Sequence, residues 1–128
     1  MSDGYFQEIW NEAQTAGLKA GKAATPVPMI VGEAAGLDSD EFKEGATLYR
    51  VDEGACGFAW VNVRPGTSRF ARWLKKMSHG RTDPYAGGVT IWISEHGQSV
   101  ARKEAHAQAM AEVLREAGVK CFADSRLD

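Results

Sequence analysis

The chain has 128 residues, 44% of them hydrophobic and 25% charged, with a net charge of −2. That is enough chain for one domain with a real core, and too little positive charge for a general attraction to nucleic acid or membrane surfaces. An anion site, if the chain has one, must be local.

Residues 5–20 place Phe6, Ile9, Trp10, Ala13, Ala16 and Ala20 at helical spacing, with Ser2 or Asp3 as the cap. Gly17 and Gly21 weaken the end of this helix. Thr25 to Val31 contains Pro26 and Pro28 and must be extended. Residues 32–45 carry an acidic cluster, Asp38 to Glu44, and read as a surface loop with at most one helical turn. Within it, Asp38-Ser39-Asp40-Glu41 is either a solvated loop or a contact surface for a protein partner.

Leu48 to Val51 and Cys56 to Val63 are strand-like, and Asp52-Glu53-Gly54 reads as a hairpin turn between them. In the second strand Phe58 and Trp60 lie on one side, and Ala59, Val61 and Val63 on the other. Both sets are large or apolar, which predicts a central strand covered on both faces. Residues 68–77 form a short helix with the apolar stripe Phe70, Trp73, Leu74 and Met77. Residues 78–87 are a polar loop, and Val89 to Ile93 is the next strand. The longest helix spans 99–117, with His106, Met110, Val113, Leu114 and Ala117 inward and Gly118 ending it. Val119 to Ala123 is the last strand, before a polar tail.

The order is α-β-β-α-β-α-β. Its strand-helix-strand connections are long enough for crossovers between parallel strands. We therefore expect a single α+β domain over residues 1–128, with a mixed four-strand sheet and helices mainly on one face. An N-terminal helix and extended segment (1–45) would precede a core over 46–128. Cys56 and Cys121 are the only cysteines. Each sits in an apolar run, so two buried free thiols are expected. No Cys/His cluster has metal spacing, and neither a metal nor a cofactor is expected. The polar start and the lack of an apolar run long enough to span a bilayer suggest an intracellular protein.

Two stretches repeat one pattern: strand, Gly-x-Ser, then a helix that opens with cations. One runs through Arg64-Pro65-Gly66-Thr67-Ser68 to Arg69 and Arg72. The other runs through Gly97-Gln98-Ser99 to Arg102, Lys103 and His106. A helix start already carries about half a positive charge, so cations there are unfavourable unless an anion joins them. The plain alternative is that Ser68 and Ser99 are ordinary N-caps. Ser99, Arg102 and His106 are spaced to share one side of their helix. We take Ser99, Arg102 and His106, with Ser68 and Arg64, as candidate anion ligands. Tyr85, before Gly87-Gly88, is the candidate that packs on a flat ligand, and Trp60 and Trp92 are weaker candidates for stacking. Catalysis has less support. His106 is the candidate acid or base should the chain be an enzyme.

From Ala55 onward the chain resembles a family of small uncharacterised proteins of tailed bacteriophages. The similarity rests on CGFAWVNVRPG (Cys56 to Gly66), YAGGVTIWIS (Tyr85 to Ser94), GQSVARKEAHA (Gly97 to Ala107) and SRLD (Ser125 to Asp128). It implies a phage gene product in the cytoplasm of the host bacterium, but no activity that can be carried over. By analogy with phage proteins that hide nucleotide immune signals, we expect a homo-oligomeric binder of a small anionic ligand of the nucleotide type. No nucleic acid or membrane partner is expected. The alternatives are a metal-free phosphodiesterase acting on cyclic nucleotides, and a protein-binding inhibitor or virion-associated component. Phe6, Ile9 and Trp10 supply the expected interface between copies.

Overall fold

The computed structural model describes residues 2–31 and 49–128. The acidic segment Asp38 to Glu41 and Leu48 lie outside the described residues. Helix α1 runs Asp3–Ala23, and the Ser2 hydroxyl accepts from the Tyr5 amide at 3.3 Å, which supplies its N-cap. Pro26 and Pro28 then keep the chain extended into β1 (Met29–Val31). β1 pairs antiparallel with β2 (Tyr49–Val51) as a separate two-strand ribbon. The hairpin expected between Leu48–Val51 and Cys56–Val63 is therefore not formed, because β2 has taken β1 as its partner. Gly54 still holds the left-handed conformation expected of it (φ +75°).

The main sheet comprises β3 (Gly57–Val63), β4 (Arg81–Thr82), β5 (Val89–Trp92) and β6 (Cys121–Leu127), in the order β4-β5-β3-β6. Helix α2 (Arg69–Lys76) connects β3 to β4, and α3 (Val100–Glu116) connects β5 to β6. The α+β class and a sheet of four strands agree with the sequence reading, but Tyr49–Val51 lies in the ribbon instead and its place is taken by Arg81–Thr82, within the stretch read as loop. The parallel pairing does not agree: every neighbouring pair is antiparallel. The reason lies in strand order. The crossovers through α2 and α3 do join strands of like direction, but β5 sits between β3 and β4, and β3 sits between β5 and β6. Each β-α-β unit is split by an antiparallel strand. Spacing along the chain predicts the crossover and is blind to the inserted strand.

One face of the sheet carries the core. Ala59, Val61, Val63, Val89, Ile91 and Ile93 join Phe70, Trp73 and Leu74 of α2 and Ala107, Met110 and Leu114 of α3. Phe6, Ile9 and Ala13 of α1 belong to the same cluster. Phe6 meets the rings of Phe70 and Trp73 at 5.4 and 6.1 Å. The α1 face expected at an interface between copies is thus covered within the chain: Phe6 and Ile9 are buried, and Trp10 stacks on His79 at 4.2 Å. The other face of the sheet is only half covered, against the expectation for Phe58 and Trp60. The last strand, expected to end at Ala123 before a polar tail, instead runs on through that tail to Leu127, opposite Gly57. Cys121 is part-buried and Cys56 is exposed, so the expectation of two buried thiols holds for neither; both are free.

Candidate functional site

Both Gly-x-Ser starts fold as N-caps. The Ser68 hydroxyl accepts from the Ala71 amide at 3.2 Å. Ser99 Oγ accepts from the Arg102 amide at 3.4 Å and donates to the Glu53 carbonyl at 2.9 Å. Neither helix has an acid in its first turn. What offsets the misplaced cation of α3 is another part of the chain. Arg102 Nε donates to Glu53 at 2.5 Å, and its Nη1 donates to the carbonyls of Gly21 and Lys22 at 3.0 and 2.9 Å. Those carbonyls belong to the C-terminal end of α1, which carries the partial negative charge. The guanidinium that looked available for a ligand therefore ties α3 to α1.

His106 is fully buried, and both ring nitrogens are engaged. Gln14 Nε2 donates to the Glu95 carboxylate, so the Gln14 carbonyl oxygen faces His106 Nε2 at 3.1 Å and accepts its proton. His106 Nδ1 is then the acceptor for His96 Nε2 at 2.9 Å. Neutral imidazoles satisfy this chain of bonds from end to end. Burial lowers the pKa of both histidines; for His106 the Glu95 charge opposes the shift and His96 reinforces it. The rings fit because α1 presents glycine. A Cβ on Gly17 would meet His106 Nε2 at 2.6 Å, and one on Gly21 would collide with the His96 ring. Helix α1 runs through both Gly17 and Gly21 to Ala23. They are one turn apart and form the notch for the histidine pair.

The six sequence candidates do not form one site. Ser99 and Arg102 line a groove of about 460 Å³ near Cys56 and His96. Ser68 and Arg64 line another, of about 510 Å³, with Lys120 and Phe70. Ser99 bridges Cys56 just before β3, whereas Arg64 follows its end, so the two groups stand at opposite ends of that strand. Tyr85 is 97% exposed at the tip of a turn. Asp83 organises that turn: its carboxylate accepts from the amides of Tyr85 and Ala86, both at 2.9 Å, and from Thr90 at 3.1 Å. The two backbone bonds are the leading reason its pKa is lowered. Gly88 meets the β3 backbone rather than leaving room for a ligand; a Cβ there would lie 2.5 Å from the Val63 carbonyl oxygen.

The richest surface is the outer face of the sheet. Directly opposed residues of antiparallel strands point the same way. Phe58 is opposite Arg126, Trp60 is opposite both Trp92 and Asp124, and Asn62 is opposite both Thr90 and Phe122. Trp60 and Trp92 form a tilted pair with ring centroids 5.1 Å apart, and Trp92 is 48% exposed. Cations stand over the flanking rings. Arg126 lies 5.2 Å and Lys103 5.6 Å from the Phe58 centroid, and Arg64 lies 4.9 Å from that of Phe122. Arg64 is also held by its Nε bond to Asn62 Oδ1 at 2.8 Å. Lys103 starts on α3, is buried, and bonds the Gly57 carbonyl at 3.3 Å where its ammonium meets Phe58. A groove of about 640 Å³ crosses this end of the face, lined by Phe58, Arg81, Trp92, Lys103 and Arg126 among others.

Of the sequence candidates, this face contains Arg64 and the two tryptophans. It adds Phe58, Phe122, Lys103 and Arg126, which sequence reasoning missed. The signal for them was weak alternation, Phe58/Trp60 in one strand and Phe122/Arg126 in another, without a way to place the strands side by side. The histidine pair left a different trace, two glycines one turn apart in an otherwise regular helix. Among the described residues no group of three His, Cys, Asp or Glu side chains could hold a metal ion, and no helix is long and apolar enough to cross a membrane. The chain matches no protein-family model, no curated protein and no solved structure.

Proposed function

We propose that the protein binds a nucleotide, a flat base joined to phosphate, on the outer face of its sheet. The observation that carries this reading is the Trp60–Trp92 pair, presented between Arg64 at one end and Lys103 with Arg126 at the other. Stacking a base on an aromatic side chain contributes about 1–3 kcal/mol and tolerates any base. A guanidinium adds charge-assisted hydrogen bonds to phosphate. The net charge of −2 does not oppose this, because Arg64, Lys103 and Arg126 supply positive charge locally on this face.

Charge also favours this occupant over a second copy of the chain. Two such faces apposed about a two-fold axis would place arginines against arginines. His106 is buried, and the histidine pair packs against Gly17 and Gly21 of α1, away from this face. Combined with the resemblance to phage proteins, the reading is of an accessory protein that sequesters a nucleotide signal in the host bacterium, without turnover.

Calorimetry and tryptophan fluorescence against adenine and guanine mono- and dinucleotides and ADP-ribose are the test. We expect binding that quenches the tryptophans, loss of at least tenfold in affinity for Trp92→Ala, and recovery of unaltered nucleotide after the protein is denatured. Absence of binding at high micromolar concentration across the panel overturns the proposal. Recovery of cleaved nucleotide replaces sequestration by a phosphodiesterase.

A further inference from the structure

We infer that the ligand of the outer face is an oligonucleotide, a dinucleotide or longer, whose backbone carries phosphate on both sides of the sugar-base unit that stacks there. The inference rests on the nucleotide reading above and adds the class of ligand. It follows from how charge is distributed along the face. The cations form two separate groups. Arg126 and Lys103 lie over Phe58 at the start of β3. Arg64 lies over Phe122, just past the end of the same strand. Phe122 is opposite Asn62, so at ~3.3 Å per residue the Phe58 and Asn62 rows over which the two groups lie stand about 13 Å apart. The tryptophans occupy the row between them, beside Asp124.

Asp124 is the acid carried by the four strands of this sheet, and it sits in that middle row. A carboxylate there repels phosphate and accepts hydrogen bonds from base amino groups. Asp83, just after β4, lies near Arg64, but its carboxylate is engaged by the Tyr85 and Ala86 amides and by Thr90, so along the strand the surface still reads cation, aromatic with acid, cation. A mononucleotide stacked on Trp60 and Trp92 can place its phosphate toward only one cationic group. A strand whose backbone crosses the tryptophans meets both, with its base over the rings and its phosphates away from Asp124. Both groups are also pre-positioned. Arg64 is fixed by Asn62, which itself donates to the Gly87 carbonyl at 2.9 Å and to Thr90 at 3.2 Å. Lys103 is fixed by the Gly57 carbonyl. Held side chains lose little freedom when the ligand arrives.

The test is a set of tryptophan-quenching titrations of the full chain with AMP, ADP and the 5′-phosphorylated dinucleotide pApA. ADP and pApA each carry two phosphates, on one side of the sugar-base unit in ADP and on both sides of the 5′ sugar-base unit in pApA. The expected result is at least tenfold tighter binding of pApA than of ADP. Arg64→Gln and Arg126→Gln should each bring pApA to within about threefold of ADP, and circular dichroism should show both variants folded. These are exposed side chains, so the substitutions spare the core. If pApA and ADP bind within twofold of each other, or if neither substitution changes their ratio, the inference falls and the mononucleotide site stands. If none of the three quenches the tryptophans, the nucleotide site itself is refuted.

Discussion

His96 Nε2 lies 2.9 Å from His106 Nδ1, and the two rings rest in notches left by Gly21 and Gly17 of α1. The contact joins residues of one loop-helix segment to a helix more than seventy positions earlier. It makes the α1–α3 packing sensitive to pH and intolerant of added volume, and each consequence can be measured.

The first concerns acid. In the folded state burial holds the pKa of His106 and His96 below the ordinary 6.5. As pH falls the unfolded chain takes up protons first, so stability rises with pH until above 6.5 and is lost below it. One such site contributes a slope of up to ~1.4 kcal/mol per pH unit. His79 shifts the same way through burial, so the wild-type slope is a sum. Glu95 adds its loss only near and below its ordinary 4.5. Urea unfolding midpoints should fall between pH 7 and pH 5, and fall less steeply in His106→Gln. A wild-type midpoint that is flat or rises on acidification would contradict the neutral pair.

The second uses two glycines of one helix. In Gly17→Ala the new methyl meets the His106 ring, with its Nε2 at 2.6 Å, and overpacking of this kind costs about 1–3 kcal/mol. In Gly4→Ala the nearest atom is Ser2 Oγ at 3.7 Å, so helix propensity acts alone and adds up to ~1 kcal/mol. Thermal melts should move in opposite directions. Equal shifts for the two would mean that Gly17 is not a packing site.

The third separates the anchor from the site. Arg102→Ala removes the Glu53 pair and the two bonds to the α1 carbonyls. Arg102 is partly buried and Glu53 is largely exposed, which limits the ion pair's share. The whole loss should be about 1–2 kcal/mol. Nucleotide affinity should not change, because the Arg102 guanidinium is bound to Glu53 and the α1 carbonyls, whereas it is the neighbouring Lys103 that reaches Phe58. A variant of normal stability with weakened binding would return the anion site to the start of α3.

The fourth concerns the thiols. Cys56 is exposed. Cys121 is part-buried, donates to the Ala111 carbonyl at 3.5 Å, and has its pKa raised by burial. The thiolate is the reactive form. Labelling with a disulfide reagent should give one fast equivalent that disappears in Cys56→Ser, and a second equivalent only slowly or on unfolding. Two equal fast phases would place Cys121 in solvent.

The sequence by itself determined the three helices, the strands β3 and β5, and the faces these elements turn inward. Helical spacing in Phe6, Ile9 and Ala13, and in His106, Met110 and Leu114, marks stripes that are buried in the fold. Ser2, Ser68 and Ser99 were legible as caps because capping is decided within one turn. Tertiary structure alone decided who meets whom. Strand order is a choice among distant partners, so the insertion of β5 beside β3 left no mark in local spacing. Occupancy is equally non-local. Arg102 is paired with Glu53 and bonded to carbonyls some eighty residues away, and Arg126 reaches Phe58 only once β6 lies beside β3. A basic residue shows its charge in the sequence, but whether that charge is spent inside the fold or presented on its surface depends on contacts that only folding makes.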